Sequence, residues 1–141
     1  MKALVGSQFR LLSGDDATAP AFIMQGGHGC ISVTSNVIPS LCLMMYLASR
    51  DNQAAAVQRL AAPINAVTHA LFRETNPAPL KYALSLLGWM RPTLRLPLVE
   101  PSDKVKAETA ATMHTLAIDY PEHLIGTMPG VNGSNRAAVV G

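Results

Sequence analysis

The acidic pair Asp15-Asp16 is the sharpest polar feature of this sequence, because it comes directly after Leu11-Leu12-Ser13-Gly14. Two carboxylates at the C-terminal end of a strand stand where α/β folds build their sites, as an active-site pair or as metal ligands. The plainer alternative is a helix cap, with Asp16 accepting the free N–H groups of a first turn and Asp15 solvated beside it. No histidine or second acid is spaced to complete a shell, so neither a metal nor a cofactor is expected. Gly26-Gly27-His28-Gly29 has the composition of a phosphate cradle. It leads into a strand rather than a helix, however, so the dipole that favours an anion is missing. A tight helix-to-strand turn explains it better, and His28 is then structural. Lys81-Tyr82 suggests a Schiff-base amine beside a proton relay, yet adjacent residues of a helix do not face each other. Lys81 is therefore read as solvated or helix-terminal. His69, His114 and His123 are read as surface or packing residues, and the methionines around Met24 and Met44-Met45 as core filler.

The candidate groups near the N-terminus depend on residues 9–36, FRLLSGDDATAPAFIMQGGHGCISVTSN. Residues 9–13 have strand length and stop at Gly14. A short helix capped by Asp16 buries Phe22, Ile23 and Met24 and ends at Gly26-Gly27, and residues 30–34 form a second, β-branched run. Strand, helix and strand this close together predict a βαβ unit with parallel strands under helices. Two parallel strands make no self-sufficient sheet, and no further strand can be read beyond Asn36.

Helices account for most of the remainder. Residues 40–50 are apolar nearly all round, as in a helix between layers. Residues 52–72 carry the stripe Val57, Leu60, Ile64, Val67 and Leu71, interrupted by Pro63, which predicts a kink or two helices. Residues 74–79 form a proline-stiffened loop, residues 80–87 a short helix closed by Gly88, and residues 89–101 an extended segment. Ser102 caps a last helix whose face is Val105, Thr109, Met113 and Leu116, and Pro121 ends it. Residues 1–7 are expected to be the last turn of a helix and residues 126–141 to be loosely ordered. The organisation predicted is two βα units over 1–50, a helical region over 51–125 and a tail over 126–141.

Apolar residues make up 49% of the chain and charged residues 14%, against about a quarter charged in an ordinary soluble domain. This excess points to subunit contacts or missing partner elements. It does not point to a membrane, because no stretch approaches the roughly 20 apolar residues of a spanning helix. The N-terminal MKALVGSQFRLL lacks a signal-peptide core, and a cytoplasmic location is expected. A net charge of +2 without a basic run excludes nucleic-acid binding. Cys30 and Cys42 are expected to be buried free thiols in a reducing compartment.

The segments LLSGDD, GGHGCISVTSN, NPAPLKYAL and LRLPLVEPS, in that order, resemble the C-terminal half of the 4-hydroxy-tetrahydrodipicolinate synthase family. That family, also called dihydrodipicolinate synthase, includes N-acetylneuraminate lyase and related pyruvate-dependent aldolases. The resemblance covers about residues 9–102. It implies an α/β fold, a partial TIM (β/α)8 barrel: residues 9–13 and 30–34 look like strands seven and eight, followed by C-terminal helices that make the chain mostly helical. It also implies pyruvate as substrate, condensed with aspartate semialdehyde in lysine biosynthesis. Family members form a Schiff base on a strand-six lysine, relay the proton through a tyrosine and hold the pyruvate carboxylate with a threonine pair. All of these are expected upstream of Met1, so no catalytic residue is expected here. The resemblance leaves pocket wall: Gly14 and Asp15 after strand seven, and Ile31, which matches a position contacting pyruvate. Pro20 departs from the pattern, falling at the fourth position of a helix capped by Asp16. The expectation is an incomplete lyase, inactive alone, that self-associates through its open strand edges. The alternative is a non-catalytic interaction protein docking on a full-length relative.

Overall fold

The computed structural model describes residue 6 and residues 8–130. Strand β1 (Leu12–Ser13) leads to helix α1 (Ala19–Met24) and strand β2 (Gly29–Cys30). A 3-10 turn (Thr34–Asn36) follows, then helices α2 (Pro39–Arg50), α3 (Ala54–Leu71), α4 (Ala78–Leu86) and α5 (Asp103–Asp119), and a 3-10 turn at Pro121–His123. The two strands are parallel, Leu12 opposite Gly29 and Ser13 opposite Cys30, as expected of a βαβ unit.

Both strands are shorter than the apolar runs predict, and side chains end them. At the lower end, the His28 N–H donates to the Leu11 carbonyl (2.8 Å). The Leu11 N–H in turn donates to His28 Nδ1 (2.9 Å), so an imidazole replaces the next carbonyl of the ladder. At the upper end, the Ile31 N–H donates to the Ser13 carbonyl (2.8 Å). The Val33 and Thr34 amides then turn to the Asp16 carboxylate, at 2.9 and 3.3 Å. A backbone committed to that carboxylate cannot continue the ladder, and it winds into the 3-10 turn instead.

Asp16 is therefore not the cap of α1. The turn before α1 is held by Asp15, which accepts from the Ala17 and Thr18 amides at 3.4 and 3.2 Å and from Thr18 Oγ1 at 2.6 Å. Because α1 begins at Ala19, Pro20 sits in its first turn, where a missing N–H breaks no helical bond.

Helices α1, α2 and α4 end in the same way. The N–H of the second residue past the cap returns to a carbonyl in the last turn: Gly27 to Phe22 (3.0 Å), Gln53 to Ala48 (2.8 Å) and Trp89 to Leu84 (3.0 Å). The residue before each donor takes positive φ: Gly26 at 94°, Asn52 at 53° and Gly88 at 77°. Asn52 thus closes α2 rather than opening the next helix. Gly27 is required for space as well, since a Cβ there would lie 2.8 Å from the Phe22 carbonyl oxygen and collide with the ring.

Helix α3 runs unbroken through Pro63, so the alternative of two helices is not realised. Its stripe enters the core, with Ile64, Val67 and Leu71 buried and Val57 and Leu60 partly so. Val37, Ile38, Leu41 and Met45 meet it from α2 and the residues before it, Ala83, Leu84 and Leu87 from the α4 region, and Met113 and Leu116 from α5. A Thr34–Thr68 hydroxyl bond (2.9 Å) ties the 3-10 turn to α3 inside this core. Thr109 is fully buried on α5 and its hydroxyl has no partner among the described residues. Ser102 caps α5 by accepting the Val105 N–H (3.4 Å). Glu74 grips the same residue through its amide (3.1 Å) and hydroxyl (2.6 Å), anchoring the loop before α4 to the start of α5. The expectation for residues 1–7 lies outside the described residues except at Gly6, as does that for 131–141; residues 126–130 contain no helix or strand.

Candidate functional site at the strand ends

In a strand, side chains alternate between faces, so the register places Leu12, Gly14, Gly29 and Ile31 on one face and Ser13 and Cys30 on the other. Among the described residues, helices cover the Cys30 face only. On the opposite face Leu12 is 52% and Ile31 71% exposed. Gly14, Asp15 and Ile31 therefore come together at the C-terminal edge of the paired strands, the first and last as cross-strand neighbours. Gly14 and Asp15 are exposed.

The Thr18 hydroxyl, aided by the Ala17 and Thr18 amides against a small desolvation cost, holds the Asp15 carboxyl below the usual carboxylate range. Asp15 is thus an anion at neutral pH, turned toward its own backbone, and not a proton donor. Asp15 lines a groove of about 550 Å³ together with Asn65, His69, Phe72 and Arg73. Arg73 itself pairs with Glu108 at 2.9 Å.

On the covered side, a cleft of about 320 Å³ lies between α1, α2 and α3, lined by Asp16, Cys30, Ser32, Cys42, Tyr46 and Asn65 among others. The Asp16 carboxylate is occupied by the Val33 and Thr34 amides and by the Ser32 hydroxyl. Both thiols are free and half-buried. Burial, followed by the charge of Asp16, raises the Cys30 pKa, and the same causes push Cys42 up to about 12. Neither sulfur is a nucleophile at neutral pH.

The remaining candidates separate. His28 serves the ladder, as expected of a structural residue. Lys81 Nζ donates to the Thr93 carbonyl and fastens the extended segment after α4. The Tyr82 ring lies 6.0 Å from the ammonium of Lys106, so Lys81 and Tyr82 form no pair. His123 bonds Ser40 Oγ (2.8 Å), while His69 and His114 are exposed. Among the described residues no three His, Cys, Asp or Glu converge to hold a metal, and no helix is long and apolar enough to cross a membrane. The role missed from sequence was that of Asp16 with Ser32. Ser32 Oγ accepts the Ser35 N–H (2.8 Å), and a serine followed three residues later by a turn was the available signal.

The 4-hydroxy-tetrahydrodipicolinate synthase of Gluconobacter oxydans is 44% identical over 121 residues, which are 84% of this chain and 40% of that protein. The dihydrodipicolinate synthase structure from Aquifex aeolicus superposes with a TM-score of 0.76 at 28% identity, over 89% of this chain and 41% of its own. That from Acinetobacter baumannii, solved in complex with pyruvate, gives 0.72 at 29% identity, over 79% and 38%. The chain thus spans about 40% of the length of the proteins it matches. Two parallel strands with the SGDD and GGHGCISVTSN loops at their ends, and a family model matched over residues 1–116, agree: this chain belongs to the dihydrodipicolinate synthetase family.

Proposed function

We propose that the chain supplies the closing part of a pyruvate-dependent synthase: strands seven and eight of a (β/α)8 barrel and the helical region that follows. The observation carrying this reading is the gathering of Gly14, Asp15 and Ile31 at the C-terminal edge of the two strands, which is the edge where barrel enzymes bind substrate. On this reading β1 and β2 belong to the barrel over residues 1–50, and residues 51–125 form the appended helical region. Ile31 gives the pocket an apolar wall. Asp15, fixed as an anion by Thr18, holds the loop at the rim. The relative solved with pyruvate supports that keto acid as the substrate of the assembled enzyme, and the family resemblance implies aspartate semialdehyde as its partner in the condensation.

Chemistry of this kind needs an amine of lowered pKa in a desolvated pocket. Among the described residues no such amine lies at the strand ends, and on this reading they bind no pyruvate covalently. Incubating the purified chain with pyruvate and borohydride is expected to leave its intact mass unchanged. A pyruvyl adduct on Lys2 or Lys81 that requires the folded state would overturn this. A second reading, a non-catalytic protein that docks on a full-length relative, is favoured by the bare sheet face of Leu12 and Ile31.

A further inference from the structure

Past α5 the chain turns back onto the fold. Residues 120–128 cross from the beginning of α2 to the end of α4, in a stretch beyond residues 1–116, where the family model is matched. Tyr120, Leu124, Ile125 and Met128 pack against the core. Three polar contacts fasten them. The Ile125 N–H donates to the Val37 carbonyl (3.1 Å), Trp89 Nε1–H donates to the Ile125 carbonyl (2.9 Å), and His123 Nδ1 pairs with Ser40 Oγ (2.8 Å). Gly126 permits this approach, since a Cβ there would lie 2.7 Å from the Trp89 indole nitrogen.

The Val37 contact is the one that α2 cannot replace. Val37 is fully buried, so its carbonyl is shut off from solvent and must find a donor within the chain. In an uninterrupted helix that donor would be the Leu41 N–H. Pro39 disfavours helical backbone at the residue before it, and Ile38 stands at φ −128°, ψ 61°, so α2 begins too late to use this carbonyl. The same residues lead back to the strand-end edge. The Val37 and Ile38 amides donate to the Thr34 carbonyl (3.0 and 3.2 Å), and the Thr34 amide donates to Asp16 (3.3 Å), close after Ile31. We propose that residues 120–128 are a clasp that positions the segment from Ile31 to Ser40: Asp16 holds its front, and Ile125 and His123 hold its rear. That this segment borders a substrate pocket rests on the reading above; the clasp does not.

The test is residue-level hydrogen exchange and methyl NMR on the full 141-residue chain. Ile125→Pro removes the N–H but keeps an apolar ring, and Leu124 before it is already extended (φ −76°, ψ 147°), as a residue preceding proline prefers. Exchange at Val37 and Ile38 should quicken by roughly tenfold or more, and by less at Val33 and Thr34, with α5 unchanged. The Ile31 methyl resonances should shift. Ile125→Val keeps the N–H and trims one methyl, and it should leave these amides as in the parent. Gly126→Ala, which presses on Trp89 without touching the N–H, is a milder second variant with the same expected pattern as Ile125→Pro. His123→Ala should quicken the same amides, whereas His123→Asn, which keeps an acceptor for the Ser40 hydroxyl, should not; equal effects would remove His123 from the clasp. The proposal is overturned if Ile125→Pro and Gly126→Ala change only residues 120–128, or if Ile125→Val acts as Ile125→Pro does. Faster exchange throughout α3 and α5 would also overturn it, making the segment a general part of the core. No pyruvate enters these measurements. A pyruvyl adduct that overturns the proposed function therefore leaves the clasp standing, and unmoved amides leave the borohydride result untouched.

Discussion

Leu71 and Leu12 are the same side chain in opposite circumstances. Leu71, at the end of α3, is fully buried among residues from α2, α4 and α5, whereas Leu12 is half-exposed on a strand of two residues. The helical part of the chain is held by interdigitated apolar side chains. The βαβ part is held by polar groups: Asp15 on its own turn, Asp16 across to Val33 and Thr34, and His28 across to Leu11. The polar contacts fix the shape of the strand-end edge before anything has packed against it.

The largest effect expected from breaking this contrast is in the core. Leu71→Ala should destabilise the chain by about 2–5 kcal/mol in denaturant unfolding, while Leu12→Ala should change it by less than about 0.5 kcal/mol. Equal losses at the two sites would show that the strand face is packed in solution. Next is Asp16→Ala, which leaves two amides and a hydroxyl without their acceptor and should cost about 1–3 kcal/mol. Hydrogen exchange should quicken at Val33 and Thr34 but not in α3 or α5; acceleration throughout would mean that the two regions unfold as one. The smallest effect is alkaline. Cys42 keeps its proton in the folded chain up to about 12, while an unfolded thiol gives it up near 9.0. Its contribution is therefore intact below pH 9 and is lost as pH rises toward 12. Cys42→Ala should flatten that part of the stability profile relative to the parent, and parallel profiles would place the thiol in water.

Much of the helical part was legible because its signals are local. A 3.6-residue period placed α3 and the buried face of α5, Ser102 announced its own cap, and Gly26 and Gly88 marked two stops. The strands were overdrawn because their ends are set by partners 16 to 18 positions away. No periodicity reports that an aspartate will take the amides of residues 33 and 34, or that an imidazole will stand in for a carbonyl. The same competition moved the cap of the first turn from Asp16 to Asp15. Asn52 was misplaced because its left-handed backbone is unusual for a residue with a side chain. At the candidate site, Gly14, Asp15 and Ile31 were legible as a set because the family motifs kept them in order, although the sequence showed neither the groove beside Asp15 nor the cleft beside Cys42.

The imidazole of His28 acts as a peg in a two-rung ladder. Sliding one strand by one position would withdraw that nitrogen from the Leu11 amide and turn over the side chains of the strand that moved, Leu12 or Ile31, toward the helices. In so brief a pairing that ring nitrogen, together with Asp16 at the other end, helps to decide which side chains the uncovered face presents.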